Sequence, residues 1–123
     1  MPASLYRATA EFFRVLGHPV RIRVLELLCE GPKPVRDLLA DAEIESVAVT
    51  ASSLSQQLAV LRRHGMVRTT REGGSVVYAL AGPDVTDLMK AARRILAEMH
   101  AGGHGLFLRI AGLEEADVAG TAG

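Results

Sequence analysis

One stretch of this chain, MVRTTREGGSVVYAL at residues 66–80, reads as strand, while nearly all the periodic remainder reads as helix. Met66–Arg71 and Ser75–Leu80 are rich in β-formers, and EGG between them supplies the positive φ of a tight turn. A lone two-stranded ribbon is at best marginally stable, so the core has to come from helices. Aromatics make up only 4% with no Trp, which leaves that core to Leu, Val, Ala and Ile. With 123 residues, 49% hydrophobic and 23% charged, the chain has the length and composition of one globular domain. The single Cys29 excludes an internal disulfide and fits a reducing compartment. MPASLYRATAEFF lacks the basic-then-apolar pattern of a signal peptide, and no apolar run approaches the roughly 20 residues of a membrane span. The expectation is a cytoplasmic protein.

Five helical segments surround the hairpin. Leu5, Thr9, Phe12, Phe13 and Leu16 recur at helical spacing over residues 4–16, and Gly17 ends that helix. Pro19 opens the second at the position where a missing N–H is harmless. Val20, Val24, Leu27 and Leu28 line one face of it, thickened by Ile22, Leu25 and Cys29, and Gly31–Pro32 stops it. PVRDLLADA makes a short third helix, and residues 42–50 read as a loop or an extended helix end. The fourth, residues 51–64, places Leu54, Leu58 and Leu61 at i, i+4, i+7, with Ser52 as the expected N-cap and Gly65 as the stop. The fifth runs from about Asp84 to Met99. Val85, Leu88, Ala92, Ile95 and Met99 form a heptad-like seam that requires another helix against it. Residues 101–123, rich in Gly and Ala, are expected to be a flexible tail.

Short helix, turn, amphipathic helix, hairpin is the order of a winged helix-turn-helix. The expected fold class is therefore mainly α with a two-stranded β wing. The fourth helix carries Ser52, Ser53, Ser55, Gln56 and Gln57 in its first two turns. The major groove of DNA admits one such helix. Gln pairs with adenine edges, and Ser bonds bases or phosphates. The net charge of the chain is zero, yet residues 50–78 hold Arg62, Arg63, Arg68 and Arg71 against Glu72 alone. A local basic segment in a neutral protein points to a local anionic partner. Arg62, Arg63 and Arg71 are the expected phosphate contacts. A Ser/Gln-rich helix face alone would be an ordinary solvated surface. Its position between a short helix and a basic hairpin favours double-stranded DNA as the partner.

Three segments carry a family resemblance. VLGHPVRIRVLELL (residues 15–28) resembles the second-helix signature of the ArsR/SmtB family of winged helix-turn-helix repressors, through Leu16, His18, Pro19, Arg21, Val24, Leu25, Leu27 and Leu28. SSLSQQLAVLRRHGMV resembles that family's recognition helix, and TREGGSVVYAL its wing. AEFFRVLGHP and LSQQLAVLRR are similar to an actinobacterial subgroup. The resemblance implies a homodimeric repressor released by an inducer, joined through its first and fifth helices. It also implies DNA contact by Ser52, Ser55 and Gln56, with Arg71 on the wing. His18, placed before a proline at a helix start, where its ring can hydrogen-bond and pack locally, reads as a structural residue rather than a ligand.

The same resemblance frames the question of metal. The family's Cys-x-Cys site on the third helix has no counterpart, since Lys33-Pro34-Val35-Arg36-Asp37-Leu38 holds no thiolate. Cys29, among apolar neighbours, reads as a core residue. The family's fifth-helix site maps onto Gly82, Asp84, Ile95 and Glu98, which is not a complete ligand set. A displaced set remains: Asp84 and Asp87 near the helix start, Glu98, His100 and His104 near its end. Paired across an antiparallel dimer, these would suit Ni or Zn.

The expected dimer interface comprises Leu5 and Phe12 of the first helix and Val85, Leu88, Ala92, Ile95 and Met99 of the fifth. Two-fold symmetry then calls for an inverted-repeat operator. The expected organisation is a DNA-binding and dimerisation domain over residues 1–100 and a tail over 101–123. A second reading is a dimeric interaction module whose winged helix serves a protein partner, or a repressor that senses no metal. No nucleophile–base pair, phosphate loop or carboxylate couple has catalytic spacing, so an enzyme is not expected.

Overall fold

The computed structural model describes residues 2–44 and 47–101. Its elements are α1 (Ala3–Leu16), α2 (Pro19–Leu28), β1 (Lys33–Pro34), α3 (Val35–Asp41), β2 (Glu43–Ile44), β3 (Val47–Ala48), α4 (Ala51–Arg63), β4 (Val67–Glu72), β5 (Ser75–Leu80) and α5 (Pro83–Ala101). The chain separates into two compact units, Met1–Asp87 and Leu88–Gly123, so the division falls inside α5. The expected tail, apart from Ala101, lies outside the described residues.

In the first unit, α2, α3 and α4 supply most of the core. Val24, Leu25, Leu27 and Leu28 of α2 are buried, as are Leu38 of α3 and Leu54, Leu58 and Leu61 of α4. Met66 and Val67 close it at the start of β4. The fourth-helix stripe is therefore the core face that its spacing indicates. Full burial of each such leucine contributes about 1.5–3 kcal/mol. In α2 the expected face is shifted: Ile22 is exposed and Leu25 fully buried. Cys29 is half-buried at the C-cap of α2, not a core residue. It borders a surface concavity of about 400 Å³ that Arg68, Leu80 and Pro83 also line.

α1 buries only Val15. Leu5, Tyr6, Phe12 and Phe13 are exposed, with Phe12 and Phe13 meeting edge to face at 5.4 Å between ring centres. Along α5, Met89 is buried, whereas Val85, Leu88, Ala92 and Met99 of the expected seam are half-buried and Ile95 is exposed.

Three local features depart from the sequence reading. Lys33–Pro34, expected inside the loop and third helix, form a short strand on β5, with Lys33 opposite Tyr78 and Pro34 opposite Val77. The sheet order is thus β1-β5-β4, all antiparallel. Within the stretch expected as a loop or helix end, β2 and β3 pair, Glu43 opposite Ala48 and Ile44 opposite Val47. The N-cap of α4 is Thr50 rather than Ser52: Thr50 has extended backbone, and its hydroxyl accepts the Ser53 N–H at 3.1 Å.

His18 caps α2. Its Nδ1 accepts the Val20 N–H at 3.2 Å, with Pro19 at the first helical position. Burial, and then the neighbouring Arg21 charge, hold its pKa below the ordinary histidine value. The neutral ring that the cap needs is therefore favoured in the folded state. The unfolded chain takes up this proton first as pH falls below about 6.5. Stability from the cap is complete above that value and is lost as pH drops through the lowered folded value. His18→Ala is expected to cost about 1 kcal/mol at pH 7.5, within the range for loss of an N-cap. The gap between variant and wild type should narrow toward pH 5, as read by urea unfolding. A gap that does not change with pH would remove His18 from this role.

Candidate nucleic-acid interface

α4 is fixed at both ends and from behind. Thr50 caps its start, and Leu54, Leu58 and Leu61 anchor it. At its C-cap the His64 ring Nδ1 lies 3.0 Å from the Val60 carbonyl, a contact that requires the proton on Nδ1. Gly65, with φ +73°, turns the chain out of the helix. Arg62 and Arg63 in the last turn suit the negative end of the helix dipole.

This anchoring sorts the expected contact residues. Ser52, Ser55 and Gln56 are exposed on the outer face, as are Arg62 and Arg63 further along. Ser53 and Gln57 are half-buried, and Gln57 Oε1 is buried without a hydrogen-bond partner. The outer face is thus narrower than the run of five polar residues. Helix arithmetic carries the signal for this: Gln57 lies three residues after Leu54 and four before Leu61, which places it beside the core stripe.

The hairpin pairs in regular register from Val67–Leu80 to Glu72–Ser75. Gly73 and Gly74 both have positive φ, +57° and +82°, the requirement of a two-residue type I′ turn. Arg71, opposite Val76 near the tip, is exposed. Arg68, at the other end of β4, donates from Nη1 to the Ala81 carbonyl at 3.5 Å. Arg36 of α3 donates to the Ser75 hydroxyl at 3.1 Å, and this bond and the β1–β5 pairing tie the hairpin to the helix-turn-helix. Arg62, Arg63 and Arg71 make no ion pair among the described residues, so their charge faces outward uncompensated.

Sequence reasoning missed Tyr78. It lines a concavity of about 420 Å³ together with Ser55, Ala59, Arg62 and Arg63, between α4 and β5. The wing motif contains Tyr78, but nothing in the linear pattern places it against the fourth helix.

The metal set expected across a dimer is only partly described in one chain. Among the described residues no group of three or more His, Cys, Asp and Glu side chains is placed to hold an ion. Asp84 and Asp87 stand at the start of α5, and Glu98 and His100 near its end. His104 lies outside the described residues.

A short helix, a capped amphipathic helix with a polar outer face, and a basic hairpin tied beside it define a winged helix-turn-helix DNA-binding protein. A family profile described as bacterial regulatory protein, arsR family, matches residues 18–69. The chain belongs to the ArsR family of transcriptional regulators. It is 43% identical to the HTH-type transcriptional regulator Rv0081 of Mycobacterium tuberculosis, over 96% of this chain and 95% of that one. The crystal structure of Rv0081 superposes with a TM-score of 0.71 at 45% identity, covering 82% of this chain and 97% of that one. The transcriptional repressor BigR of Xylella fastidiosa matches at TM-score 0.64 and 31% identity, over 73% and 87% of the two chains. The homodimeric winged helix-turn-helix domain Mb0332 of Mycobacterium bovis matches at TM-score 0.65 and 27% identity, over 83% and 89%. The protein is thus a DNA-binding transcriptional regulator, and its relatives are regulators rather than enzymes. No helix among the described residues is long and apolar enough to cross a membrane.

Proposed function

We propose that the protein is a homodimeric repressor that binds an inverted-repeat operator and leaves it on receiving an inducer. The observation that carries the DNA-reading part is the outer face of α4. Ser52, Ser55 and Gln56 stand exposed on a helix whose opposite face is locked in the core, with Arg71 exposed on the adjoining hairpin. In this reading Ser52, Ser55 and Gln56 read the major groove, Ser53 and Gln57 support them, and Arg62, Arg63 and Arg71 hold backbone phosphates. BigR, a repressor, and Mb0332, a homodimer, supply the precedents for repression and pairing. Exposed apolar side chains on α1 (Leu5, Phe12) and on α5 (Ile95) favour a second copy as their cover.

Within this reading the inducer class that a carboxylate–imidazole set accepts is Ni or Zn. Asp84 and Asp87 of one chain would meet Glu98, His100 and His104 of the other. Calorimetry of the dimer with either ion, at one ion per chain, is the measurement.

The DNA reading is tested with two variants. Gln56→Ala is expected to weaken binding to the specific operator by about 1–3 kcal/mol and to leave random DNA nearly unchanged. Arg71→Ala is expected to weaken both, and to reduce the salt slope by about one unit. Equal losses on both duplexes for both variants would sink the assignment.

A further inference from the structure

We propose that the concavity between α4 and β5 is a seat for one DNA backbone phosphodiester, and that the Tyr78 hydroxyl is one of its donors. The inference deepens the DNA-binding reading above and rests on it. Ser55, Ala59, Arg62 and Arg63 fall at i, i+4, i+7 and i+8, so they share one strip of the helix. Ala59 is small, and it leaves a gap between the polar groups on either side. Tyr78 forms the opposite wall from the middle of the three-stranded sheet, where Thr69 and Lys33 flank it in register.

The chemistry of the lining suits an anion. It offers two guanidinium groups, a phenol and a hydroxyl. It contains no carboxylate. None of these four side chains has a hydrogen-bond or ion-pair partner among the described residues. The position suits a phosphodiester in particular. A helix in the major groove and a ribbon reaching the next minor groove have one sugar-phosphate strand between them. That strand has to pass through the space between helix and ribbon. Here that space is the concavity. Tyr78 stands back from the exposed tip at Gly73–Gly74, so it meets the strand between the grooves rather than a base edge.

The test uses the full chain and two duplexes: one selected by the protein from a randomised pool, and one of mixed sequence. Tyr78→Phe removes a single oxygen and keeps the ring. It is expected to bind both duplexes about tenfold more weakly, the size of one hydrogen bond to a charged group, with unchanged thermal unfolding. Arg63→Gln should also weaken both and lower the salt slope by about one unit. Replacing single phosphates of the selected duplex by neutral methylphosphonates should reveal one position per half-site at which wild type loses about tenfold more affinity than Tyr78→Phe does, since the variant keeps Arg62 and Arg63 but lacks the hydroxyl. Wild-type affinity in Tyr78→Phe, or the absence of any such position, would overturn the seat and leave the DNA-binding reading intact. Failure of wild type to select any duplex would overturn the reading itself.

Discussion

Ile95→Glu is expected to turn the proposed dimer into a monomer and to weaken operator binding by about 10²–10⁴-fold, the loss that follows when two linked half-site contacts become independent. Ile95 is 58% exposed on one chain and lies in the apolar arc formed by Val85, Leu88, Ala92 and Met99. Met89 and Leu96 extend that arc on one side, so the helix carries more apolar surface than a strict seam needs. Under two-fold pairing the substitution places a carboxylate from each chain into one interface. Burying unpaired charge costs several kcal/mol for each group. Sedimentation velocity reads the assembly and a shift assay reads the affinity. A variant that stays dimeric and binds normally would place the interface elsewhere.

Leu58→Ala carries the other large effect, this time on folding. Leu58 is 2% exposed, flanked on its stripe by Leu54 at 1% and Leu61 at 0%. Truncation removes transfer energy and leaves a cavity, at an expected cost of about 2–5 kcal/mol. Domains of this size are stable by only about 5–15 kcal/mol, so the loss is a large fraction of the total. The urea midpoint should fall in proportion with little change in slope. Ala59→Ser, one position along on the exposed face, should leave stability within about 0.5 kcal/mol. Equal effects from the two substitutions would contradict the burial of the stripe.

The contrast between these neighbouring positions also explains what the sequence reveals and what it hides. The fourth-helix stripe and the hairpin are legible because their causes are local. Three leucines at helical spacing define a face, and paired glycines define a turn. The cap was harder, because Thr50, Ser52 and Ser53 all carry hydroxyls within four residues. The extended backbone at Thr50, φ −72° and ψ 153°, selects among them, and periodicity does not report it. β1 was illegible for another reason. A two-residue strand has no pattern, and its partners Tyr78 and Val77 lie more than forty residues away. The concavity at Tyr78 brings a β5 residue beside α4 residues fifteen or more positions earlier, so it too is a tertiary fact. Gln57 is the instructive case: its distance from the exposed outer face is already present in its spacing from Leu54 and Leu61. The exposure of α1 was also unstated by its periodicity, because an apolar stripe says that a face needs a cover and not which molecule provides it.

The short strand has one more consequence. A three-stranded sheet at a protein surface presents two open edges, and open edges invite strand-on-strand polymerisation. Here one edge is only two residues long and ends in Pro34, which has no N–H to donate. The other, β4, carries Arg68, Arg71 and Glu72 along six residues and closes in a sharp glycine turn. Charged side chains and proline are the usual guards of such borders. Self-association through the sheet is thereby discouraged in crowded conditions, which leaves the helices as the surfaces open to the proposed pairing.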